Sequence, residues 1–559
     1  MINEETILIC GAWPYVNGDI HIGHLPGYFI PGDITARYFR LKGKRVAFVS
    51  GTDCHGTPIT VEADKRGLTP VQIVEEYDPK VRKLIEIYDF SYDNFSSTVS
   101  ENHKKVVQDM FISLLNNGYI IKKKTKQYFS EQENRFLPDR YVEGECPICH
   151  ALEQRSDQCE NCGRSLDFGT LINPYSKISK SEVILKETEH YFIDFAKLQD
   201  KILNFAKTGE KRWRKWIYQE TMGWLKEGLE PRAITRDIDW GIQIPKDRIP
   251  TKMLIENIES KRFYVWFEAV IGYLSATIEF CENNNLDYEI FWKNPKSRHF
   301  YVMGQDNVTF HTIFWPGQLI ASDVEYTLPY LPSAVKFLNA NGLKLSKSRG
   351  NIIDAMDVAQ KYGTEAVKFY IISIMPENKE SNWDWKHFQE VINKNLVGNI
   401  GNYINRVIVF TSKNFSNEDF DGLNASQNVV EFTNKTFIEV RKAIEEHKFT
   451  QMLNLILEYS SFGNKYFNDS KSWELVKTDK TRASQNIYDC LYILNNLRIL
   501  LTPILHKSMK NLSHMLGWKP VEPVLGKDNY SPSEVDITNL QFKDIKILFK
   551  KIENSEIPV

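Results

Sequence analysis

The sequence predicts an α/β protein in which a doubly wound domain is split by an insertion and followed by a helical bundle. Three observations support this fold class. Short apolar segments alternate with helical segments near the N-terminus, a cysteine-rich stretch breaks that alternation, and amphipathic helical spacing dominates residues 391–516. The 559 residues are enough for roughly three or four domains.

The first half of the doubly wound domain is predicted at residues 1–120 and its second half at 251–330. Strands and helices of the first half are predicted to alternate, at residues 7–10, 33–41, 46–51 and 69–88. Strand-like apolar runs return at 263–266 and 300–304. Residues 121–250 are therefore predicted to be a connective insertion between the halves of one nucleotide-binding fold.

The remainder of the chain is predicted to be mainly helical. Helical periodicity covers 352–374, within a loop-and-helix region at 331–390, and a weaker helix is expected at 545–552. Residues 391–559 are predicted to form the bundle, because apolar residues recur at helical spacing from its start. These residues are Ile392, Leu396, Ile400, Ile404, Val407 and Ile408.

Four of the eight cysteines form a C-x2-C-x9-C-x2-C pattern. They are Cys146, Cys149, Cys159 and Cys162. Paired thiolates at this spacing suit tetrahedral ligation of one structural Zn²⁺. Disulfides are the alternative, and a reducing cytoplasm disfavours them.

Composition indicates a globular protein of the cytoplasm. The formal net charge is −2 and charged residues make up 25% of the chain. No apolar run approaches the ~20 residues that span a bilayer, and the start of the chain is acidic and polar, so neither a membrane association nor a signal peptide is expected. A nucleic-acid partner stays possible, because a local basic face suffices for phosphate contacts.

Two short, widely separated segments together predict ATP chemistry. His21 and His24 follow the first predicted strand and a turn-rich stretch, so they are expected to open a helix whose N–H groups favour anions. Lys344 and Lys347 lie in the segment KLSKS, where flexible ammonium groups can reach a polyphosphate. Either segment alone more often belongs to an ordinary protein surface. Their joint occurrence is what indicates ATP chemistry.

Residues 21–24 resemble the HIGH motif, and residues 344–348 the KMSKS motif, of class I aminoacyl-tRNA synthetases. Further blocks resemble the methionyl-tRNA synthetase family, at residues 12–18, 51–57, 139–144, 263–269 and 306–311. The resemblance implies a Rossmann-type catalytic domain. It also implies ATP-dependent activation of L-methionine to methionyl-adenylate and transfer to tRNA(Met), including the initiator, with release of pyrophosphate and AMP.

Activation of an amino acid requires positioned cations and donors around the phosphates rather than an enzyme nucleophile. The two histidines are expected to donate to the phosphates, and Lys344 and Lys347 to stabilise the departing pyrophosphate. Mg²⁺ is expected with ATP, held mainly by phosphates and water. The residues predicted to contact ATP are His21, His24, Gly304, Asp306 and Lys347.

The resemblance implies an amino-acid pocket in which Asp53 pairs with the α-ammonium group. The residues around the side chain would be Ala12, Trp13, Tyr15, Trp266, Ala269, Tyr273, Asn307 and His311. Aromatic rings suit a thioether, since each sulfur–ring contact contributes about 0.3–1.5 kcal/mol. Trp13, Val270 and Gln305 depart from the family's usual residues, and the bulk of Trp13 leaves open a different small amino acid as the substrate.

Recognition of tRNA is predicted in the helical half of the chain. Asn402 and Arg406 are four residues apart, hence on one helix face, and Trp473 offers a surface for base stacking. By resemblance, all three face the anticodon. The basic run at 211–215 is interpreted as a solvated face, with contact to acceptor-stem phosphates as the alternative. A non-catalytic, tRNA-binding regulator is the second function that stays open.

Two further expectations concern assembly. Ser130, Glu133 and residues 173–179 stand where two-zinc relatives carry more cysteines, so one zinc rather than two is predicted. No segment resembles the appended oligonucleotide-binding barrel with which some relatives dimerise, so a monomer is expected.

Overall fold

The computed structural model describes residues 4–138, 141–156, 159, 161–162, 169–340, 342 and 352–558. The N-terminal part alternates strands and helices as the sequence predicts. Its elements are β1 (Thr6–Gly11), α1 (Ile30–Leu41), β2 (Arg45–Thr52), α2 (Thr57–Arg66), α3 (Pro70–Tyr88), β3 (Asn94–Ser97) and α4 (Glu101–Asn116).

The connective segment that follows combines antiparallel strands with helices in its described residues. Its elements are β4 (Ile120–Ser130), β5 (Arg135–Phe136), β6 (Val142–Glu145), β7 (Gln154–Arg155), β8 (Ile172–Ser176), β9 (Ile184–Ile193), α5 (Gln199–Lys207), α6 (Lys215–Glu227), β10 (Arg232–Ala233) and β11 (Thr235–Arg236). The long strands β4 and β9 pair antiparallel, and β6 pairs with β7 and β8 beside the cysteines.

The doubly wound domain then resumes. Its elements are β12 (Arg262–Phe263), α7 (Val265–Glu268), α8 (Gly272–Asn283), α9 (Glu289–Trp292), β13 (Arg298–Gly304), α10 (Trp315–Ala321) and β14 (Leu331–Val335). The central sheet has five parallel strands in the order β14-β13-β1-β2-β3. Ile7 of β1 aligns with Val46 on one side and Arg298 on the other, so strands from both halves of the domain join in one sheet.

The C-terminal part is helical, as predicted. It comprises β15 (Leu338–Ala340), α11 (Ala355–Tyr362), α12 (Thr364–Ser373), β16 (Ser381–Trp383), α13 (Trp385–Val391), α14 (Asn402–Asn414), α15 (Gln427–Glu445), α16 (Phe449–Asp469), α17 (Ser472–Leu475), α18 (Lys480–Leu501) and α19 (His506–Met515). Helices α14, α15, α16 and α18 pack on one another as a bundle. No helix within the described ranges is long and apolar enough to cross a membrane.

Two predicted elements are wrong. The apolar run 263–266 is not a strand: pairing ends at Phe263, and α7 begins at Val265. A run of four apolar residues fits either a buried strand or one helical turn, so its pattern cannot decide. Residues 545–552 are not helical; Phe549 and Ile552 are buried individually, and Ile552 exchanges backbone hydrogen bonds with the side chain of Asn393.

Candidate active site

The predicted site residues of the doubly wound domain cluster where its parallel strands end. Residues 12–15 follow β1, Asp53 follows β2, and residues 305–311 follow β13. Backbone hydrogen bonds join the first two segments, from Asp53 N to Pro14 O at 2.9 Å and from Val16 N to Asp53 O at 3.3 Å. The carboxyl edge of an open parallel sheet is where such folds bind ligands.

Asp53 is a buried carboxyl group, 3% exposed. Its Oδ1 accepts a hydrogen bond from the backbone N–H of His55 at 3.2 Å. Burial, and then the neighbouring charge of Glu268, raise the pKa of Asp53 well above its ordinary value. A carboxylate in this setting is stabilised by a cation, which matches the ammonium partner predicted for it.

Glu268 and His103 are residues whose roles the sequence alone does not predict. Glu268 is fully buried; one carboxylate oxygen lies 2.7 Å from His55 Nδ1 and the other 3.5 Å from His103 Nε2. Burial raises the pKa of Glu268, but the charges and hydrogen bonds of the two histidines outweigh burial and hold it below its ordinary value. The one sequence feature that could have pointed to Glu268 is that it is a glutamate inside the apolar run 263–271.

The bulk of Trp13 is accommodated by two glycines. A Cβ atom at Gly51 would lie 2.6 Å from the indole ring, and a Cβ atom at Gly272 would lie 2.7 Å from it. The ring centroid of His103 lies 5.8 Å away. The indole is 8% exposed, so most of its surface is packed against these neighbours.

A hydrogen-bonded pair forms part of the pocket wall. Tyr273 Oη lies 2.7 Å from His311 Nε2, and His311 Nδ1 lies 2.8 Å from the carbonyl oxygen of Asn307. Burial lowers the pKa of His311 to about 4, so the ring is neutral at pH 7. With Nδ1–H donating to the carbonyl, Nε2 accepts from the tyrosine, and the wall carries no net charge.

The aromatic side of the pocket is formed by rings in contact with one another. Tyr15 meets Trp266 edge to face at 6.2 Å, and Trp266 stacks on Phe310 at 4.1 Å between ring centroids. Ala12 and Val270 are buried, and Ala269 is half-buried. The structure thus brings Tyr15 to Trp266, and Tyr273 and Asn307 to His311, among the residues that the sequence assigns to the amino-acid pocket.

His21 and His24 present a defined pair of imidazoles. His21 Nδ1 accepts from the backbone N–H of Gly23, and His24 Nδ1 accepts from that of His21, both at 3.1 Å. In the neutral state this places the ring proton of His21 on Nε2, whereas His24 Nδ1 also lies 3.3 Å from the carbonyl oxygen of His21 and fits either tautomer. The ring centroids lie 3.9 Å apart. This turn leads into a π-helical turn at Leu25–Phe29 and then α1, rather than opening the α-helix directly.

The segment after the KLSKS motif is hydrogen-bonded to the residues on either side of His21. Ile22 N donates to Ile353 O at 3.0 Å, and Ala355 N donates to Ile20 O at 3.1 Å. Lys344 and Lys347 themselves lie outside the described residues. Gly304 is the last residue of β13, and Asp306 follows it; Asp306 is exposed, and a Cβ atom at Gly304 would meet no atom within 4 Å.

A cavity of about 690 Å³ lies between the connective segment and the amino-acid pocket. It shares Tyr15 and Trp266 with that pocket and is also lined by Lys126 and Phe192 of the long antiparallel strands. Arg236, which the sequence does not single out, lines it with its guanidinium 4.1 Å from the centroid of the Tyr264 ring. The cavity therefore combines cations with aromatic surfaces.

The four cysteines of the spaced pattern converge. The sulfur atoms of Cys146, Cys149, Cys159 and Cys162 all lie within 4.8 Å of one another. Tetrahedral zinc with Zn–S bonds of about 2.3 Å requires sulfur separations of about 3.8 Å. Backbone N–H groups of Ile148 and Cys162 point at the sulfurs of Cys146 and Cys159 at 3.4 Å. None of the eight cysteines forms a disulfide, and the donor set fits Zn²⁺.

Ser130 and Glu133 belong to a separate hydrogen-bonded cluster. Glu133 accepts from the hydroxyls of Ser176 and Ser179, the latter at 2.7 Å, and Ser130 Oγ lies 3.0 Å from Ser181 Oγ. Hydroxyl and carboxylate groups joined by hydrogen bonds thus stand where two-zinc relatives are expected to carry cysteines.

The three residues assigned to the anticodon share one surface of the bundle. Asn402 and Arg406 project from α14 and bond to Asn464 and Asn468 of α16, at 3.2 Å and 2.6 Å. The Arg406 guanidinium lies 4.6 Å from the Phe467 ring, and Trp473, 39% exposed, lies 6.0 Å from the same ring.

Comparison with known proteins places these features in a family. Residues 7–408 match the family described as tRNA synthetases class I (M). The methionine–tRNA ligase of Roseiflexus sp. (strain RS-1) is 38% identical over 524 residues, covering 92% of this chain and 87% of that protein. The Pyrococcus furiosus enzyme of the same name is 36% identical over 576 residues, covering 98% and 76%.

The fold is shared with a solved structure. Mycobacterium tuberculosis methionyl-tRNA synthetase in complex with methionyl-adenylate superimposes with a TM-score of 0.77 at 20% identity, covering 98% of this chain and 99% of that one.

Proposed function

The chain belongs to the class I (M) tRNA synthetases, and on that premise we propose that it activates L-methionine with ATP and transfers the methionyl group to tRNA(Met), initiator tRNA included. One observation carries the amino-acid assignment: the buried carboxyl group of Asp53 lies close enough to Tyr273 for its charge to add to burial in raising the pKa of that tyrosine, which forms a neutral pair with His311. The carboxylate suits an α-ammonium group, and the wall suits an uncharged thioether.

In the first half-reaction, the methionine carboxylate attacks the α-phosphate in line, and pyrophosphate leaves. His21 and His24 donate from Nε2 to phosphate oxygens that gain charge in the transition state. We assign Lys344 and Lys347 to the leaving pyrophosphate, and Gly304 and Asp306 to the ribose. Mg²⁺ supplies charge neutralisation to the phosphates of ATP, which together with water are its expected ligands.

In the second half-reaction, a ribose hydroxyl of the tRNA terminus attacks the adenylate carbonyl, and AMP leaves. The cavity beside Tyr15 and Trp266 provides a route to that carbonyl, with Lys126 and Arg236 available for phosphate contacts. We assign Asn402, Arg406 and Trp473 to the anticodon, because exposed aromatic and guanidinium groups bind splayed bases.

The cysteine cluster is proposed to hold one structural zinc that fixes the connective segment. We propose a monomer as the active unit, which size-exclusion chromatography with light scattering would test. Charging tRNA serves protein synthesis, so the proposed location is the cytoplasm.

ATP–pyrophosphate exchange across a panel of amino acids tests the assignment. Methionine is expected to be the best substrate; a better one would overturn the substrate, and no exchange with any amino acid would overturn the catalytic function. Lys347→Ala should abolish most exchange while tRNA binding stays close to that of the parent protein.

A further inference from the structure

The basic run at 211–215 does not form a uniformly solvated face. Lys211, Arg212 and Lys215 are exposed, but Arg214 turns inwards at the start of α6. Its Nη1 donates to the carbonyl oxygen of Ala334 in β14 at 2.6 Å. Its Nη2 donates to the carbonyl oxygen of His447 at 2.6 Å. Arg214 thus joins the central sheet to the corner between α15 and α16.

This corner has a backbone conformation that needs support. His447 adopts a φ of +53°, a left-handed conformation that costs about 1–2 kcal/mol for a non-glycine residue. Its buried ring stacks on Phe300 of β13 with 5.2 Å between centroids, and its Nε2 lies 3.3 Å from Thr35 Oγ1 of α1. The corner therefore contacts the strand that leads to Gly304 and the helix that follows His24.

The first turn of α16 is held at the same place. Glu377 is 9% exposed, and its Oε1 accepts from the backbone N–H of Thr450 at 3.2 Å. Trp216, two residues beyond Arg214, donates from its indole N–H to the carbonyl oxygen of Glu377 at 3.0 Å. An acidic group at a helix N-terminus is stabilising, so α16 is anchored by hydrogen bonds and by charge.

The other end of α16 carries the surface assigned to the anticodon. The helix has 21 residues and is therefore about 31 Å long. Near its C-terminus, Asn468 accepts from Arg406, while Phe467 contacts the side chains of both Arg406 and Trp473. One uninterrupted helix thus connects the tRNA-facing surface to the corner that Arg214 holds against the catalytic domain.

We propose that Arg214 is a positioning residue that couples anticodon contacts, through α16 and the His447 corner, to the rate of methionyl transfer. This inference rests on the proposed function. It assigns Arg214 no contact with ATP, methionine or tRNA. Its prediction is that loss of the guanidinium lowers the rate of transfer in a manner that depends on the anticodon contacts.

A double-mutant cycle tests the coupling. Arg214→Met, Trp473→Ala and the double variant are compared in steady-state aminoacylation of tRNA(Met) and in ATP–pyrophosphate exchange without tRNA. Arg214→Met should lower kcat of aminoacylation by about 3- to 30-fold and leave exchange within about twofold of the parent protein. In the Trp473→Ala background, the same change should have little further effect on kcat. Lys226→Met, at an exposed position in the last turn of the same helix α6, is the matched control.

Several outcomes would overturn the proposal. If Arg214→Met reduces exchange as much as aminoacylation, Arg214 only supports the fold. The same conclusion follows if Arg214→Met lowers kcat of aminoacylation by the same factor in the parent protein and in the Trp473→Ala variant. If Arg214→Met does not fold, Glu377→Gln replaces it in the cycle, since it weakens the anchor of α16 without removing the arginine; additive effects there reject the coupling. Failure of the proposed function is distinguishable, because the parent protein would then show no methionine-dependent exchange.

Discussion

His55 bridges two buried carboxylates, with its backbone N–H 3.2 Å from Asp53 Oδ1 and its ring Nδ1 2.7 Å from Glu268 Oε1. The two acids thereby lie close enough for the charge of Glu268 to raise the pKa of Asp53. In the proposed complex, the ammonium group of methionine adds a positive charge to the cluster of Asp53, His55 and Glu268. Under the proposed function, recognition of the amino group would therefore depend on the protonation of this buried network.

This relationship predicts that KM for methionine rises at low pH, which gives its pH profile an acid limb. In the proposed complex the ionised form of Asp53 binds the ammonium group, and in the free protein burial and the charge of Glu268 raise the pKa of Asp53. As the pH falls through that raised pKa, Asp53 takes up a proton and KM for methionine should rise. Glu268→Gln removes the nearby negative charge, lowers the pKa of Asp53, and should move the acid limb to lower pH.

The measurement is KM for methionine in ATP–pyrophosphate exchange across a pH series. Glu282→Gln, on the exposed side of α8, is the control. An acid limb that Glu268→Gln leaves in place, or moves to higher pH, would contradict the electrostatic account.

The packing of Trp13 predicts a dependence on the two glycines that accommodate it. Gly272→Ala places a Cβ atom 2.7 Å from the indole, and overpacking of this kind costs about 1–3 kcal/mol. The change should lower the free energy of unfolding and raise KM for methionine. In a Trp13→Leu background the same substitution should cost much less, because the indole is gone.

Urea unfolding and exchange kinetics of the parent protein, the two single variants and the double variant check this. Gly223→Ala is the control, since a Cβ atom there would meet nothing within 4 Å in a helix. Equal costs of Gly272→Ala in both backgrounds would show that the indole is not what the glycine accommodates.

The sequence and the structure agree where local patterns carry the information. Apolar strands such as Thr6–Gly11 are buried along their whole length in a parallel sheet, so their runs can be recognised without knowing their neighbours. The cysteine spacing likewise predicts the convergence of four sulfurs. Contacts between residues distant in sequence cannot be recognised in this way. His55 and Glu268 are 213 residues apart, and the sequence around neither of them predicts their pairing. Arg214 is similar, since a basic run does not show which member turns inwards.

The geometry of the two motif histidines predicts their kinetic roles. His24→Asn removes the Nε2–H donor and should lower kcat of exchange by about 10²- to 10³-fold, a typical loss for one transition-state donor. KM for ATP should change little, because the donor acts mainly in the transition state. Exchange kinetics measure both, with His514→Asn, at an exposed position in α19, as the control. A large rise in KM with kcat preserved would assign His24 to ground-state binding instead.

The converging cysteines predict one zinc per chain. Metal analysis should return one equivalent, and Cys159→Ser should lower it, because a serine hydroxyl is a poor zinc ligand. Removal of the metal should loosen the segment 141–176 and impair methionyl transfer more than adenylate formation. Cys281→Ala removes a buried thiol elsewhere and should keep the full zinc content. Two equivalents in the parent protein, or none, would contradict the prediction.

The contact of Trp473 and Arg406 with Phe467 predicts that the bundle can be impaired without harm to adenylate formation. Trp473→Ala removes a stacking surface whose loss typically costs about 1–3 kcal/mol per base, or about 5- to 150-fold in affinity. Arg406→Met should have a comparable effect on binding of tRNA(Met), because the guanidinium and the indole are positioned by one phenylalanine ring. Exchange without tRNA should stay at the parent level in both variants. Ile438→Ala, at an exposed site of α15, should leave tRNA binding unchanged.

The affinity loss should also require the CAU anticodon: if Trp473→Ala weakens binding of tRNAs with other anticodons by the same factor, the residue contributes to general affinity and not to anticodon recognition.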